Sequence, residues 1–271
     1  MLTVNIGPLA LPSGHLLLII SLLLATAVGW LVGRRQQRNP ERQLFYLLII
    51  GLLVARLAFV IRYFDYFQDS LWGVLDIRDG GFIIWPGVIA VLVGGFWMAW
   101  RDATLRRSLG IALAAGLAFW SVGMYSMNAY QKGTHMPDLV LQELDGNSVN
   151  MNDYLGKPLV VNLWATWCPP CRREMPVLAA AQERETGITF LFVNQGEGDT
   201  IIEQFLQSSQ LTLDNVLLDN GIRLGQQLGA HAMPTTVFYN AEGRQVASHM
   251  GELSNASLMR QIEKLKEEPQ P

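Results

Sequence analysis

The sequence predicts a multi-pass α-helical membrane domain of four spans followed by an α/β domain, and three observations predict it. Four runs of about 20 mostly apolar residues, the length that crosses a bilayer core, crowd into the first half of the 271-residue chain. Charge divides unevenly: residues 1–130 hold 10 of the 20 Lys/Arg, none of them Lys, and 6 of the 23 Asp/Glu, a net of +4, whereas residues 131–271 carry −7. Beyond residue 137 the pattern changes to short β-rich runs alternating with helical stretches. A disordered chain, a disulfide-stapled mini-protein and a nucleic-acid binder with a basic face all fit these figures poorly.

The apolar runs are Gly14–Gly33, Leu44–Ile61, Gly81–Trp100 and Ser108–Tyr130. Buried helices of a soluble protein would need a shell of amphipathic elements around them, and the neighbouring sequence has none. Cleavage as a signal peptide is not expected, because Arg34, Arg35, Arg38 and Arg42 follow the first run instead of preceding it. Basic residues gather on the cytoplasmic side of a membrane. Here the 34–43 loop has four Arg and the 101–107 loop has Arg101, Arg106 and Arg107, while the 62–80 loop sets two Arg against four Asp. Both termini and the C-terminal half then face outward, which in a bacterial cell is the periplasmic side of the inner membrane.

Gly29, Gly33, Gly87, Gly94, Gly95, Ala112 and Gly116 are small enough for close helix approach, and Pro86 is expected to kink the third span. Arg56 lies inside the second run, where an unpaired charge costs at least a few kcal/mol. Its expected partner is a lipid headgroup or a loop carboxylate, the alternative being a side chain that snorkels to the interface. The stretches ARLAFV (55–60), YFDYF (63–67) and DGGFIIWPG (79–87) resemble the prolipoprotein diacylglyceryl transferase family over roughly residues 14–110. Trp85-Pro86 stands where that family has His-Gly, and no Gly-Arg-x-Gly-Asn-Phe-type segment follows. Without that His no evident group manages the proton of an acceptor thiol. The resemblance therefore implies a remnant fold, with the acyl-transfer activity lost.

After a polar link at 131–137, strands are expected at Leu139–Leu141, Leu159–Trp164, Thr189–Val193, Val216–Leu218, Thr236–Tyr239 and Gln245–Met250. Helices are expected at Pro170–Glu185, Thr200–Ser208, Gly221–Leu228 and Ser254–Lys266. The alternation implies a mostly parallel sheet with helices on both faces, edged by an antiparallel hairpin that turns at Asn240–Gly243. The domain organisation is thus 1–130 membrane, 131–137 linker, 138–266 α/β domain and 267–271 disordered tail.

Both cysteines of the chain lie in Trp167-Cys168-Pro169-Pro170-Cys171, after a strand and at a helix start. First-turn amides and the helix dipole stabilise a thiolate, which makes Cys168 the nucleophile. Cys171, one turn on, is placed to attack a mixed disulfide formed by Cys168 and release the product. A zinc site would want four ligands, and no second cysteine pair exists. A structural disulfide across so short a loop would add little. The pair is read as redox-active, with no metal and no cofactor beyond the disulfide itself. Glu174, three residues after Cys171, shares its helix face, where a carboxylate raises the pKa of a buried thiol and exchanges a proton with it, the alternative being an exposed charge on the helix surface.

The stretch 160–176, VVNLWATWCPPCRREMP, and the later Met233-Pro234-Thr235-Thr236 resemble the thioredoxin superfamily, and within it the membrane-tethered TlpA/ResA-type oxidoreductases, over about residues 137–266. The resemblance implies a thioredoxin-like fold, a cis Met233–Pro234 bond facing the cysteines, and a substrate site at Trp167, Met233, Pro234 and Thr235. It also implies the proton-handling role of Glu174. Asn162 stands where ordinary thioredoxins carry a buried acid, which favours the TlpA-type branch. His231, near the proline loop, reads as a surface histidine.

The expected function is a membrane-anchored periplasmic thiol–disulfide oxidoreductase that reduces disulfides of exported proteins. The membrane half has no cysteine, so a separate transmembrane thiol donor must recharge it. The expected partners are exported thiol or disulfide proteins, that donor and membrane lipid, with no nucleic acid. The alternative is a bifunctional or lipid-binding protein whose transferase-like membrane half is coupled to cysteine reduction.

Overall fold

The computed structural model of the protein describes residues 3–6, 9–34, 39–67 and 71–267. The chain forms two compact units, one of residues 14–77 and 81–128, the other of residues 129–271 with 1–13 and 78–80. Most of the expected tail at 267–271 falls outside the described residues.

A two-stranded antiparallel hairpin, β1 (Thr3–Ile6) and β2 (Leu9–Pro12), leads into the first helix. The sequence reading did not anticipate it, because four-residue runs carry too little periodicity to identify. Four helices follow: α1 (Ser13–Gly33), α2 (Glu41–Arg62), α3 (Ile84–Arg101) and α4 (Arg106–Lys132), each long and apolar enough to cross a membrane. Their ends lie within three residues of the apolar runs. Glu41 in the first turn of α2 and Arg62 in its last complement the helix dipole. Between α3 and α4 the chain turns on Asp102, whose Oδ1 accepts from the Thr104 amide at 2.9 Å.

Small residues set the helix contacts. A Cβ on Gly87 would stand 2.6 Å from the Gly51 carbonyl oxygen, so α2 and α3 meet backbone to backbone. A Cβ on Gly116 would stand 2.9 Å from that of Ala25, and one on Gly29 would stand 3.2 Å from that of Ala112; both bring α1 against α4.

Two expectations in this unit are corrected. Pro86 does not kink the third span, because α3 begins at Ile84 and the proline sits in its first turn, where the missing N–H has no intrahelical partner to lose. Arg56, expected to meet a lipid headgroup or a loop carboxylate or else to snorkel to the interface, is 7% exposed and turned into the protein, which leaves no place for a snorkelling side chain. Its Nε donates to the Val74 carbonyl (3.2 Å), Nη1 to Gly81 (2.9 Å), and Nη2 to Gly73 (2.9 Å) and Asp76 (2.7 Å). The rings of Phe59, Phe67 and Phe82 surround the guanidinium at 5.4–6.0 Å. These carbonyls belong to the segment between α2 and α3, so Arg56 anchors that loop.

The α/β domain contains β3 (Val140–Glu143), β4 (Ser148–Asn150), β5 (Leu159–Trp164), α5 (Pro169–Arg184), β6 (Thr189–Gln195), α6 (Asp199–Ser208), β7 (Val216–Asp219), α7 (Arg223–Leu228), β8 (Thr235–Tyr239), β9 (Gln245–Met250) and α8 (Asn255–Glu267). The strand order is β4-β3-β7-β6-β5-β8-β9. Only β5, β6 and β7 run parallel; every other pairing is antiparallel, so the sheet is mixed where a mostly parallel one was expected. The connection between β7 and β8 contains only α7 as a helix. Through that six-residue helix and the loop after it the chain stays at the end where β7 finishes, and β8 starts from there, antiparallel to β5.

Both faces of the sheet are covered. Val160, Trp164, Phe190, Phe192 and Phe238 pack with Met175 and Leu178 of α5 and Leu258 and Ile262 of α8. Leu159, Val161, Leu163, Leu191, Val193 and Val237 pack with Leu224 of α7 and Met151 on the other face. With both faces buried, β5 reads as an unbroken apolar run interrupted only by Asn162, which points toward the α5 side.

Candidate functional site

The site is built where β5 ends and α5 begins. Cys168 is the N-cap of α5, with extended backbone (φ −87°, ψ 107°), and its sulfur accepts from the Cys171 amide at 3.3 Å. Pro169 and Pro170 take the first two helical positions, where the N–H groups they lack would have had no intrahelical acceptor. Cys168 and Cys171 are joined in a disulfide with Cα atoms 5.3 Å apart. Cys168 is 3% exposed and Cys171 is fully buried, so of the two the first lies nearer the surface. Trp167, 65% exposed, stands beside it as an apolar surface that the core does not use. Along the outer side of α5 a groove of about 410 Å³ is lined by Pro169, Arg172, Arg173, Pro176, Phe205, Ser209 and Leu211.

The Met233–Pro234 bond is cis, and Met233 packs against the core cluster that contains both cysteines. Strand β8 starts immediately after it, with Thr235 opposite Leu163 near the end of β5, which brings the proline loop to the cysteine end of the sheet. Thr235 itself, expected to touch substrate, is fully buried, and its hydroxyl donates to the Ala232 carbonyl at 2.7 Å. That contact gives it a part in shaping the loop, where Pro234 is buried beside it and Met233 is half-buried. His231 is exposed, as read.

Glu174 is wholly buried one turn after Cys171. Its Oε1 accepts from Asn162 Nδ2 at 2.8 Å and its Oε2 from the Leu253 amide at 2.9 Å. Burial disfavours the carboxylate more strongly than these two donors favour it, and the Glu174 pKa is pushed up to about 8. A carboxyl poised near neutrality can both take and return a proton.

Glu197 is a residue the sequence reading missed. From the loop after β6 its carboxylate accepts from the Thr166 amide (2.6 Å), the Thr166 hydroxyl and Asn194 Nδ2 (2.8 Å). It thereby clamps the segment two residues before the nucleophile. The parallel register Trp164↔Asn194 is the signal that could have found it, since it sets the ends of β5 and β6 side by side. Glu197→Ala is expected to slow attack by Cys168 up to about tenfold through a small displacement of the loop. Stopped-flow reaction with a neutral aromatic disulfide measures this, and an unchanged rate would deny the clamp a role in positioning.

Among the described residues no group of three or more His, Cys, Asp or Glu side chains gathers as metal ligands. Comparison with known proteins divides the chain where its composition does. Residues 131–262 match the Redoxin family, and residues 2–129 match the prolipoprotein diacylglyceryl transferase family. Thiol-disulfide oxidoreductase ResA of Halalkalibacterium halodurans is 28% identical over 175 residues, 64% of this chain and 96% of the relative. ResA of Bacillus subtilis is 25% identical over 162 residues, 58% of this chain and 90% of that protein. Among solved structures, a putative thiol:disulfide interchange protein DsbE from Chlorobium tepidum aligns with 26% identity and a TM-score of 0.45, covering 49% of this chain and 97% of its own. Residues 131–262 thus match the Redoxin family with a thioredoxin-like fold, and the chain is similar to the thiol–disulfide oxidoreductase ResA.

Proposed function

We propose that the protein is anchored in the bacterial inner membrane by residues 1–130 and, through residues 138–266 on the periplasmic side of the 131–137 link, reduces disulfides of exported proteins. The observation that carries the chemistry is the Cys168–Cys171 pair at the N-terminus of α5 with the buried Glu174 carboxyl one turn further on. In the reduced state the Cys168 thiolate attacks a substrate disulfide, forming one S–S bond and expelling one substrate thiolate. Cys171 then loses its proton to Glu174 and attacks Cys168, which closes the protein's disulfide and releases the second substrate thiolate. Two electrons leave the protein and two substrate sulfurs gain them. Trp167 and the Met233–Pro234 segment receive the substrate chain beside Cys168. The dithiol needs no cofactor for this step.

Recharging requires a dithiol from elsewhere. Residues 1–130 have no cysteine, so a separate transmembrane thiol protein supplies the electrons. Lipid surrounds the four apolar helices, and Arg56 has a structural part in the loop that follows α2. The outward orientation is supported by the arginines of the 34–43 and 101–107 loops. Two measurements test the reading. The reduction potential of the pair is expected near −270 mV, as suits a reductant, and a value near −120 mV would make the protein an oxidant instead. A membrane-impermeant maleimide added to intact spheroplasts is expected to label reduced Cys168; labelling only after lysis would place the domain in the cytosol.

A further inference from the structure

Asn162, in the middle of β5, is 1% exposed, and its side chain joins three elements. Nδ2 donates to Glu174 Oε1 on α5 at 2.8 Å and to Thr236 Oγ1 on β8 at 3.0 Å, while Oδ1 is buried and meets no donor. A buried acceptor left unmet is costly, so its persistence calls for a reason. The arrangement suits one protonation state of Glu174. With Oε1 facing the Asn162 amide and Oε2 facing the Leu253 amide, both oxygens are held as acceptors, the form a carboxylate wants. A proton on Oε1 would face Nδ2, donor against donor. A half-turn of the Asn162 amide exchanges its oxygen and nitrogen with almost no change of shape, and it gives that proton an acceptor. The Thr236 hydroxyl, able to accept or to donate, then reverses and donates to the same Oδ1.

We propose that Asn162 is a positioning residue that sets the proton affinity of Glu174, turning its amide over as Glu174 gains or loses a proton and reversing the hydrogen bond to Thr236. The inference rests on Glu174 being the proton carrier of the exchange reaction. It adds a route by which that proton is felt on β8, since Thr236 lies two residues after Pro234, in the strand that begins at the substrate loop. The other groups around Glu174 do not substitute for Asn162. Cys171 lies one turn back on the same helix. Glu252, before α8, disfavours the Glu174 charge and is itself held by Arg173 at 2.6 Å. His249 on β9 reaches the Glu252 carbonyl at 3.4 Å, and burial keeps its pKa below the usual histidine value.

The test uses the reduced full chain in detergent micelles with 2,2′-dithiodipyridine, whose two pyridinethiones leave in separate phases. The first phase reports attack by Cys168 and the second reports closure by Cys171. In the native protein the second phase is expected to rise with pH along a limb that Glu174→Gln removes. Asn162→Leu takes away a donor that favours the carboxylate, so the limb's midpoint is expected to move up by about one pH unit, a tenfold slower second phase below the midpoint with the first phase unchanged. Thr236→Val strands one buried N–H in the carboxylate state and is expected to move the midpoint the same way by less; Thr236→Ser, which keeps the hydroxyl, is expected to restore it. That pair keeps the proposal testable should Asn162→Leu fail to fold. A limb abolished by Glu174→Gln yet unmoved by Asn162→Leu and Thr236→Val would overturn the inference alone. A second phase indifferent to Glu174→Gln would overturn the role of Glu174 and the inference with it.

Discussion

Replacing Cys168 with Ser is expected to cut disulfide exchange by more than about a thousandfold, to the uncatalysed background, while Cys171→Ala should leave the first attack intact and halt the reaction at the mixed disulfide. The asymmetry follows from the helix start. Cys168 caps α5 and its sulfur accepts the Cys171 amide hydrogen, so the negative charge of a thiolate gains a hydrogen bond and the favourable end of the helix dipole. A serine hydroxyl at that position remains protonated and cannot attack sulfur. Cys171 is fully buried, reachable by the neighbouring sulfur but not by a folded substrate. Membranes carrying Cys171→Ala should therefore yield covalent adducts that reductant dissolves and that Cys168→Ser prevents. Adducts equally abundant in the double variant Cys168→Ser/Cys171→Ala would mean that other chemistry captures the partners.

The second large effect is on stability. The Glu174 pKa rises from an ordinary 4.5 to about 8 in the folded protein, chiefly because burial disfavours its charge. Between those two values the native state holds a proton that the unfolded chain has lost, so stability falls as pH rises through that window and levels off above it. Glu174→Gln carries no charge to bury and removes this dependence. Denaturant unfolding of the full chain in micelles at pH 5 and pH 8.5 should show the native protein losing on the order of a few kcal/mol relative to the variant. Buried His249, whose pKa is lowered, is common to both proteins and cancels in the difference. Parallel pH curves for the two would show that Glu174 ionises in the fold as easily as in water.

What the sequence revealed and what it concealed follow from the range of the interactions involved. The four spans depend on local composition and were legible to within three residues. The cysteine pair and Glu174 lie on one helix, at spacings that place them on a face whatever the rest of the chain does. The burial that tunes Glu174 was not legible, because its donors come from β5 and from the Leu253 segment, both remote in sequence. Glu197 was hidden for the same reason: it reaches Thr166 from 31 residues away, across a parallel pairing. The direction of β8 was not legible either, because it is set by pairing with β5, more than 70 residues earlier, and not by the character of either strand. Arg56 was visible as an anomaly, but the backbone carbonyls it binds at Gly73, Asp76 and Gly81 are groups every residue has and no side-chain pattern marks.

The most direct test of the account is the pH dependence of alkylation of Cys168 in the reduced full chain, read by mass spectrometry after short exposure to iodoacetamide. Half-maximal reactivity is expected at least about one pH unit below the ~8.5 of an unperturbed cysteine. A midpoint at or above that value would contradict the claim that the start of α5 makes this sulfur the attacking group.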